Sequence, residues 1–255
     1  MEDLVARLRA AGCVFAEDEA ALLTANVTPK DLPDAVARRV AGEPLEHVLG
    51  WVEFAGLRLE VAPGVFVPRV RTELVARLAI EALPPSGTLV DLCCGVGAIA
   101  AAVASARPDA RVIAADIDPL AVGVAARNLL PFGAKALVSD MDRAIAGPVH
   151  VVTACPPYVP TDEIAFMPTE ARDHEPHGAL DGGADGTDLQ ARVFLAAARL
   201  LAPGGSAIVE TSDAQARATA NRAVQAGLNP SVGRDEELGA TVIVAVSAGG
   251  RTVTA

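Results

Sequence analysis

The chain has 255 residues, enough to bury one full core with or without a small appendage. Hydrophobic residues make up 51% of it and aromatics only 3%, so the interior is built from Ala, Val and Leu, and intrinsic disorder is excluded. With 21 Lys plus Arg against 32 Asp plus Glu, the formal charge of -11 has the wrong sign for tight, sequence-independent attraction to phosphate backbones, which disfavours nucleic acid as the main partner.

In chain order, the sequence opens Met-Glu-Asp rather than with a basic, then apolar, signal region, and its longest apolar runs are short and interrupted. A soluble, cytoplasmic protein without a membrane partner is expected, as a monomer or weak dimer. Residues 1–50 read as short helices, because Leu4, Val5 and Leu8 recur at helical spacing and Thr28-Pro-Lys-Asp resembles a capped helix start. Residues 51–63 read as a linking hairpin around Ala55-Gly56, with Leu57, Leu59 and Val61 alternating in its second arm.

From residue 64 to 255 helices alternate with apolar strands, the signature of a layered α/β sheet with helices on both faces. Strands are expected at 89–92, 112–115, 136–138, 149–153, 207–210 and 242–246. Helices are expected near 71–82, 97–106, 119–129, 188–201 and 213–226. The connection from Cys155 to about Thr187 is rich in Pro, Gly, Asp, Glu and His, and loops of more than about 12 to 15 residues are uncommon unless functional or disordered. It leaves a strand tip, where open α/β sheets bind ligands, so the substrate is expected there.

Cys13, Cys93, Cys94 and Cys155 form no paired ligand spacing and the histidines are scattered, so no metal site is expected. Among the histidines, His150 begins an apolar strand and reads as an edge residue, while His174 and His177 flank Glu175 in the long connection and read as solvated loop positions.

A ligand signal lies at Val90-Asp-Leu-Cys-Cys-Gly-Val-Gly-Ala98, between a strand and a helix, where glycines admit a ligand to the backbone and the helix start offers free N–H groups. The next strand, Val112-Ile-Ala-Ala-Asp-Ile-Asp118, ends in acid suited to ribose hydroxyls. A dinucleotide fingerprint would tolerate Ala100 as its third small residue, yet Asp91 before the loop would repel a pyrophosphate. An acid there suits S-adenosylmethionine, which carries a sulfonium and an ammonium. The bland alternative is a tight strand-to-helix turn with solvated acids.

Taken with the turn Thr153-Ala-Cys-Pro-Pro-Tyr158, this pattern resembles the class I S-adenosylmethionine-dependent methyltransferases. It is most similar to the HemK/PrmC family of protein-glutamine methyltransferases, which carries Asn-Pro-Pro-Tyr after its fourth strand. Glu43-Pro-Leu-Glu-His-Val-Leu-Gly50, Val67-Pro-Arg-Val-Arg-Thr-Glu73, Glu175-Pro and Ala179-Leu180 match that family's pattern too.

The resemblance implies a helical substrate-recognition domain over 1–50, a hairpin linker over 51–63 and a seven-stranded Rossmann-like catalytic domain over 64–255. It implies S-adenosylmethionine as cofactor, with Asp91, Gly95 and Gly97 at its methionine part, Asp116 at the ribose, Asp140 at the adenine through its amino group, Arg69, Thr72 and Glu73 as a roof, and Cys93, Ile117, Met141 and Cys155 also in contact with it. Cys155, Pro156, Pro157 and Tyr158 would form the catalytic turn, and Pro156, Tyr158, Glu175 and Pro176 would meet the substrate. The implied partner is a release factor presenting a glutamine. A changed protein, or a small amine or amide metabolite, is the variant reading, because this chain departs from the family pattern.

The departures are Cys93 for a glycine, Arg71 for an acid, Glu210-Thr-Ser without a glycine and, above all, Cys155 for asparagine. In the family the asparagine carbonyl and the first proline's carbonyl hold the acceptor amide. A thiol is a poor acceptor and does not reproduce that carbonyl. Cys155 as a nucleophile, as a small packed residue, or as part of a redox switch with Cys93 and Cys94 are further readings. A non-catalytic cofactor-binding module and a nucleic-acid methyltransferase are the competing functions.

Overall fold

The computed structural model describes residues 2–249. Four helices come first: α1 (Glu2–Ala10), α2 (Ala16–Asn26), α3 (Leu32–Val40) and α4 (Leu45–Leu49). They enclose a small core of their own, in which Leu8, Ala16, Ala20 and Leu23 are fully buried. Thr28 forms the capped start expected of it: its Oγ1 accepts from Asp31 N–H at 3.3 Å and donates to Asp31 Oδ2 at 2.7 Å, in the turn that leads into α3.

The hairpin is β1 (Trp51–Phe54) with β2 (Leu57–Glu60), paired antiparallel. Its two-residue turn has positive φ at both Ala55 (48°) and Gly56 (74°), the backbone twist that two-residue hairpins favour. Phe54 and Leu59 point into the main core, so the hairpin is packed onto the sheet domain rather than hanging between two bodies.

The remaining elements are α5 (Glu73–Ala82), β3 (Thr88–Leu92), α6 (Ala98–Ala106), β4 (Arg111–Asp116), α7 (Pro119–Leu129), β5 (Lys135–Val138), β6 (Val149–Ala154), α8 (Thr169–His174), α9 (Asp188–Leu200), β7 (Leu201–Thr211), α10 (Ala216–Gln225), β8 (Asn229–Asp235) and β9 (Ala240–Val246). They form a seven-stranded sheet in the order β5-β4-β3-β6-β7-β9-β8, parallel except where β9 pairs with its two neighbours. Strand order reverses at β3, so the tips of β3 and β6 flank the switch point where such sheets bind ligands.

Both faces of the sheet are covered. Helix α6, Ala-Ile-Ala-Ala-Ala-Val-Ala-Ser-Ala, is buried through Ala104, and small side chains let it lie close against its neighbours. Gly97, just before it, has φ +79°, and a Cβ there would come within 3.1 Å of Ala125 Cβ in α7. That glycine therefore serves helix packing.

Two features are not written in the apolar pattern of the sequence. The seventh strand, β8, reads Asn-Pro-Ser-Val-Gly-Arg-Asp and lacks an apolar run because it is an edge strand, pairing only with β9; proline and charge are the usual protection of such edges. The connection after Cys155 is ordered, with 3-10 turns at Thr161–Phe166 and His177–Ala179 flanking α8. Val159 N–H donates to Leu180 O and Gly182 N–H to Val159 O, drawing the segment back onto its own beginning.

Among the described residues no helix is long and apolar enough to cross a membrane, and no group of three or more His, Cys, Asp or Glu is arranged for a metal ion.

Candidate active site

A cavity of about 250 Å³ opens at the C-terminal ends of β3 to β6. The loop after β3 contributes Cys93 and Gly95, the end of β4 Asp116 and Ile117, the segment after β5 Asp140 and Met141, and the turn after β6 Cys155 and Pro157. Pro176 comes from the long connection and Arg192 from α9.

The loop after β3 is shaped by backbone. Gly95 (φ +54°) has nothing within 4 Å of where a Cβ would sit, so its bare backbone faces open space. Cys93 has φ +53°, a left-handed conformation that costs a side chain roughly 1–2 kcal/mol. The family's glycine would take it without strain. Gly95 N–H donates to Asp116 Oδ2 at 2.9 Å and Asp118 N–H to Asp116 Oδ1 at 3.0 Å. These bonds fix the Asp116 carboxylate at the cavity edge with lone pairs to spare. Burial nevertheless raises its pKa, outweighing those N–H bonds.

Asp91 lies beneath the cavity, fully buried, rather than on its wall. Its Oδ1 accepts from Thr153 Oγ1 at 2.8 Å, while Oδ2 has no partner. Burial pushes its carboxyl up to about 7. An orphaned carboxylate oxygen beside a glycine loop fits the ammonium of S-adenosylmethionine. Ile117, an exposed apolar side chain on the cavity rim, fits a flat base, and Asp116 fits a ribose. The residues present thus match this cofactor. The Asp140 carboxylate is also held by Arg192 and, at 3.3 Å, by Arg143.

Several residues expected at the ligand lie elsewhere. Glu73 accepts from Ala55 N–H at 2.9 Å, so it ties the hairpin turn to α5 rather than roofing the cavity. Glu175 is consumed inside the protein: Oε1 accepts from Val67 N–H at 3.1 Å and Oε2 from Arg69 at 2.6 Å, and Arg69 stacks over Phe66. Together they position the segment whose Val65 and Phe66 line the cavity. Thr72 reaches the site only through Cys155, with Oγ1 3.9 Å from Sγ. His150 Nδ1 accepts from Thr88 N–H at 3.0 Å, the edge role expected of it.

At the turn, Leu92 pairs with Ala154, so Cys93 and Cys155 leave adjacent strand tips. Burial raises both thiols well above their ordinary value, as it does Cys94, a direction that disfavours the thiolate a nucleophile or redox switch requires. Tyr158 donates its hydroxyl to Glu210 Oε1 at 2.9 Å, and Arg71 Nε approaches the same two oxygens at 3.1 and 3.3 Å. The Tyr158 backbone is clasped by glycines: a Cβ on Gly182 would fall 2.6 Å from Tyr158 Cα, and one on Gly186 would strike Tyr158 O. The glycines at 182 and 186 were the sequence signal for this clasp. Arg192 and Glu210 carried none, because each acts on a residue more than fifty positions away.

A second groove lies between the N-terminal helices and the long connection, lined by Phe15, Leu22, Arg39, Arg71, Met167 and Glu170 among others. Arg39 spans it, pairing with Glu19 at 2.6 Å and Glu170 at 2.6 Å.

A glycine-loop cavity at the switch point of this sheet order, with Asp116 one strand over, defines a class I S-adenosylmethionine-dependent methyltransferase. Residues 56–171 match the family model described as "Methyltransferase small domain". A methyltransferase structure from Pyrococcus furiosus superposes with a TM-score of 0.59 over 84% of this chain and 98% of that one, at 16% identity, a likeness of fold. The release factor glutamine methyltransferase of Streptomyces coelicolor is 42% identical over 191 residues, 71% of this chain and 67% of the relative. The 4-amino-L-phenylalanine/4-methylamino-L-phenylalanine methyltransferase of Streptomyces pristinaespiralis is 37% identical over 213 residues, 80% of this chain and 73% of the relative. The chain belongs to the release factor glutamine methyltransferase (HemK/PrmC) family. Its matched stretch spans 65–67% of the length of three such relatives.

Proposed function

We propose that this chain transfers the methyl group of S-adenosylmethionine to a nitrogen atom presented at the Cys155–Tyr158 turn. The observation that carries the reading is one cavity bounded at one end by Asp116, Ile117, Asp140 and Met141 and at the other by Cys155 and Pro157. The cofactor would supply an activated methyl group on its sulfonium. The chain's own contribution is to bind, orient and exclude water, since an in-line displacement needs no covalent intermediate.

In this reading Asp91 Oδ2 receives the cofactor's ammonium, Asp116 its ribose, and Ile117 and Met141 pack its base. The Pro156 carbonyl accepts from the incoming nitrogen, while the Tyr158 ring packs on its planar substituent. The family's acceptor is a release-factor glutamine, and the groove between the helices and the long connection is where such a protein would dock. A second reading, transfer to a small amine, is favoured by Cys155, which lacks the carbonyl that orients an amide. The relative that acts on 4-amino-L-phenylalanine supports it.

The test is incubation with methyl-labelled S-adenosylmethionine and, separately, purified release factor, nucleic acid and the small-molecule fraction of a lysate. Label in release factor supports the family acceptor, and label in small amines the second reading. Label in RNA or DNA overturns both. Cofactor binding with no transfer to any fraction leaves a binding module in place of an enzyme.

A further inference from the structure

The turn after β6 is held from behind by one side-chain amide. Gln215, between β7 and α10, donates through Nε2 to the Tyr158 carbonyl at 2.8 Å and to the Asp185 carbonyl at 3.1 Å. Among the described residues, no other donor reaches the Tyr158 carbonyl. On its far side the amide accepts through Oε1 from Ser212 Oγ at 2.6 Å. Two carbonyl oxygens on one side and a hydroxyl on the other admit a single orientation of the amide, because only its NH2 end can face two acceptors.

Both ends of this bridge are prepared. Gly186 (φ +72°) leaves the space the amide fills, since a Cβ there would overlap Gln215 Nε2 as well as Tyr158 O. Asp185 is anchored in turn, with Oδ1 accepting from Thr187 N–H at 2.9 Å and Thr187 Oγ1 at 2.6 Å, and Oδ2 from Arg222 at 3.3 Å. Ser212 Oγ accepts from Gln215 N–H at 3.2 Å, which turns its own hydrogen toward Oε1. Ser212 belongs to Glu210-Thr-Ser, the segment without the family's glycine, and a glycine has no hydroxyl with which to direct the amide. The backbone bonds from Val159 N–H to Leu180 O and from Gly182 N–H to Val159 O hold the chain only beyond Tyr158. The turn whose Cys155 and Pro157 line the cavity therefore has its far end fixed by Gln215.

We propose that Gln215, oriented by Ser212, is a positioning residue for methyl transfer: it sets where the Cys155–Tyr158 turn stands against the cavity, and itself touches neither cofactor nor acceptor. The proposal rests on the methyl-transfer reading above and adds two residues to it. In a site that works by orientation, a displacement of about 1 Å costs roughly 100-fold in rate. The cofactor end is built from the tips of β3 to β5, away from this bridge, so the bridge bears on kcat and not on S-adenosylmethionine affinity.

Tyr158 is the only tyrosine, so fluorotyrosine labels this turn alone and gives one fluorine NMR line, a readout independent of turnover. The full chain is compared with Gln215→Glu, which keeps the shape and puts an oxygen where the donor was, with Ser212→Ala, which removes the orienting hydroxyl, and with Ser212→Thr, which keeps it. Arg217→Ala, an exposed change on α10, is the control. The line is expected to shift and broaden in Gln215→Glu and, less, in Ser212→Ala, and to stay native in Ser212→Thr and Arg217→Ala. Methyl transfer to purified release factor or to aniline should fall roughly 100-fold in kcat in Gln215→Glu and about tenfold in Ser212→Ala. Ser212→Thr should restore the rate, and calorimetric affinity for S-adenosylmethionine should be unchanged throughout.

An undiminished rate in Gln215→Glu, whatever its fluorine line, overturns the proposal and leaves methyl transfer standing. So does a lower rate with a native line, or one that comes with an equal loss of S-adenosylmethionine affinity. If Gln215→Glu does not fold, Ser212→Ala against Ser212→Thr decides by the same outcomes. An unaltered chain that binds S-adenosylmethionine and methylates no acceptor overturns the methyl-transfer reading, and the role of Gln215 with it.

Discussion

The two ends of the cavity are built differently. At the cofactor end, between β3 and β5, acids meet backbone: Asp116 is held by the N–H groups of Gly95 and Asp118, and Asp91 waits below with one free oxygen. At the acceptor end, between β6 and β7, side chains meet side chains: Tyr158, Arg71, Glu210 and Cys155. Backbone donors persist through most substitutions, whereas a side-chain network changes with a single codon. Arg71, Cys155 and Glu210-Thr-Ser, three of the four departures from the family pattern, fall at the acceptor end, so this is where the chain has moved from its relatives.

The widest test of that contrast is Arg39→Ala. It strands Glu19 and Glu170 beside a largely buried site and releases the long connection from the N-terminal helices. Breaking a buried pair from one side costs about 3 kcal/mol or more, and urea unfolding should register that loss. If the acceptor end is the adaptable one, S-adenosylmethionine affinity should survive in the folded fraction.

Asp116→Ala attacks the other end. Loss of charge-assisted bonds to ribose, together with release of Gly95 N–H, should weaken S-adenosylmethionine roughly 100-fold by calorimetry. Cys155→Asn restores the family's acceptor and is expected to raise methylation of a release-factor glutamine about tenfold. No gain would mean that the acceptor end differs by more than one oxygen.

Asp91 gives a pH test of the cofactor end. Its carboxyl, raised from 3.8 to about 7 in the fold, holds a proton that the unfolded chain releases. Its contribution to stability is therefore complete below about pH 4 and lost as pH rises through about 7. A cofactor ammonium favours the ionised form, so S-adenosylmethionine binding at pH 6 should release protons, measurable as a buffer-dependent heat. The smallest effect is expected from Cys93→Gly, which removes left-handed strain and should raise stability by up to about 1 kcal/mol in thermal melts.

Much of this architecture was legible in the sequence because parallel, doubly covered strands are written as uninterrupted apolar runs. Five strands, the hairpin and α7 were read within a few residues; a sixth, β7, began well upstream, where Leu201-Ala-Pro-Gly-Gly hides it. β8 was not legible, since an edge strand is written in polar residues. At the site, motif positions located the loop, the acids and the turn, all of which are local in sequence. Glu73 and Glu175 were placed at ligands because a motif gives an address without a direction: each side chain turns inward to hold a backbone N–H. Glu210 was noted only for the glycine missing after it, because its partners, Tyr158 and Arg71, are brought to it by the fold alone.

The scarcity of aromatic residues has an optical consequence. The chain has a single tryptophan and a single tyrosine. Trp51 begins the hairpin with the Arg58 guanidinium 3.9 Å above its ring, and Tyr158 stands in the acceptor network. Excitation at the red edge selects Trp51 alone, and the difference from shorter-wavelength excitation gives Tyr158, so the unlabelled protein carries two built-in lamps. One reports the hairpin, the other the hydrogen-bonded network of Tyr158 with Glu210 and Arg71.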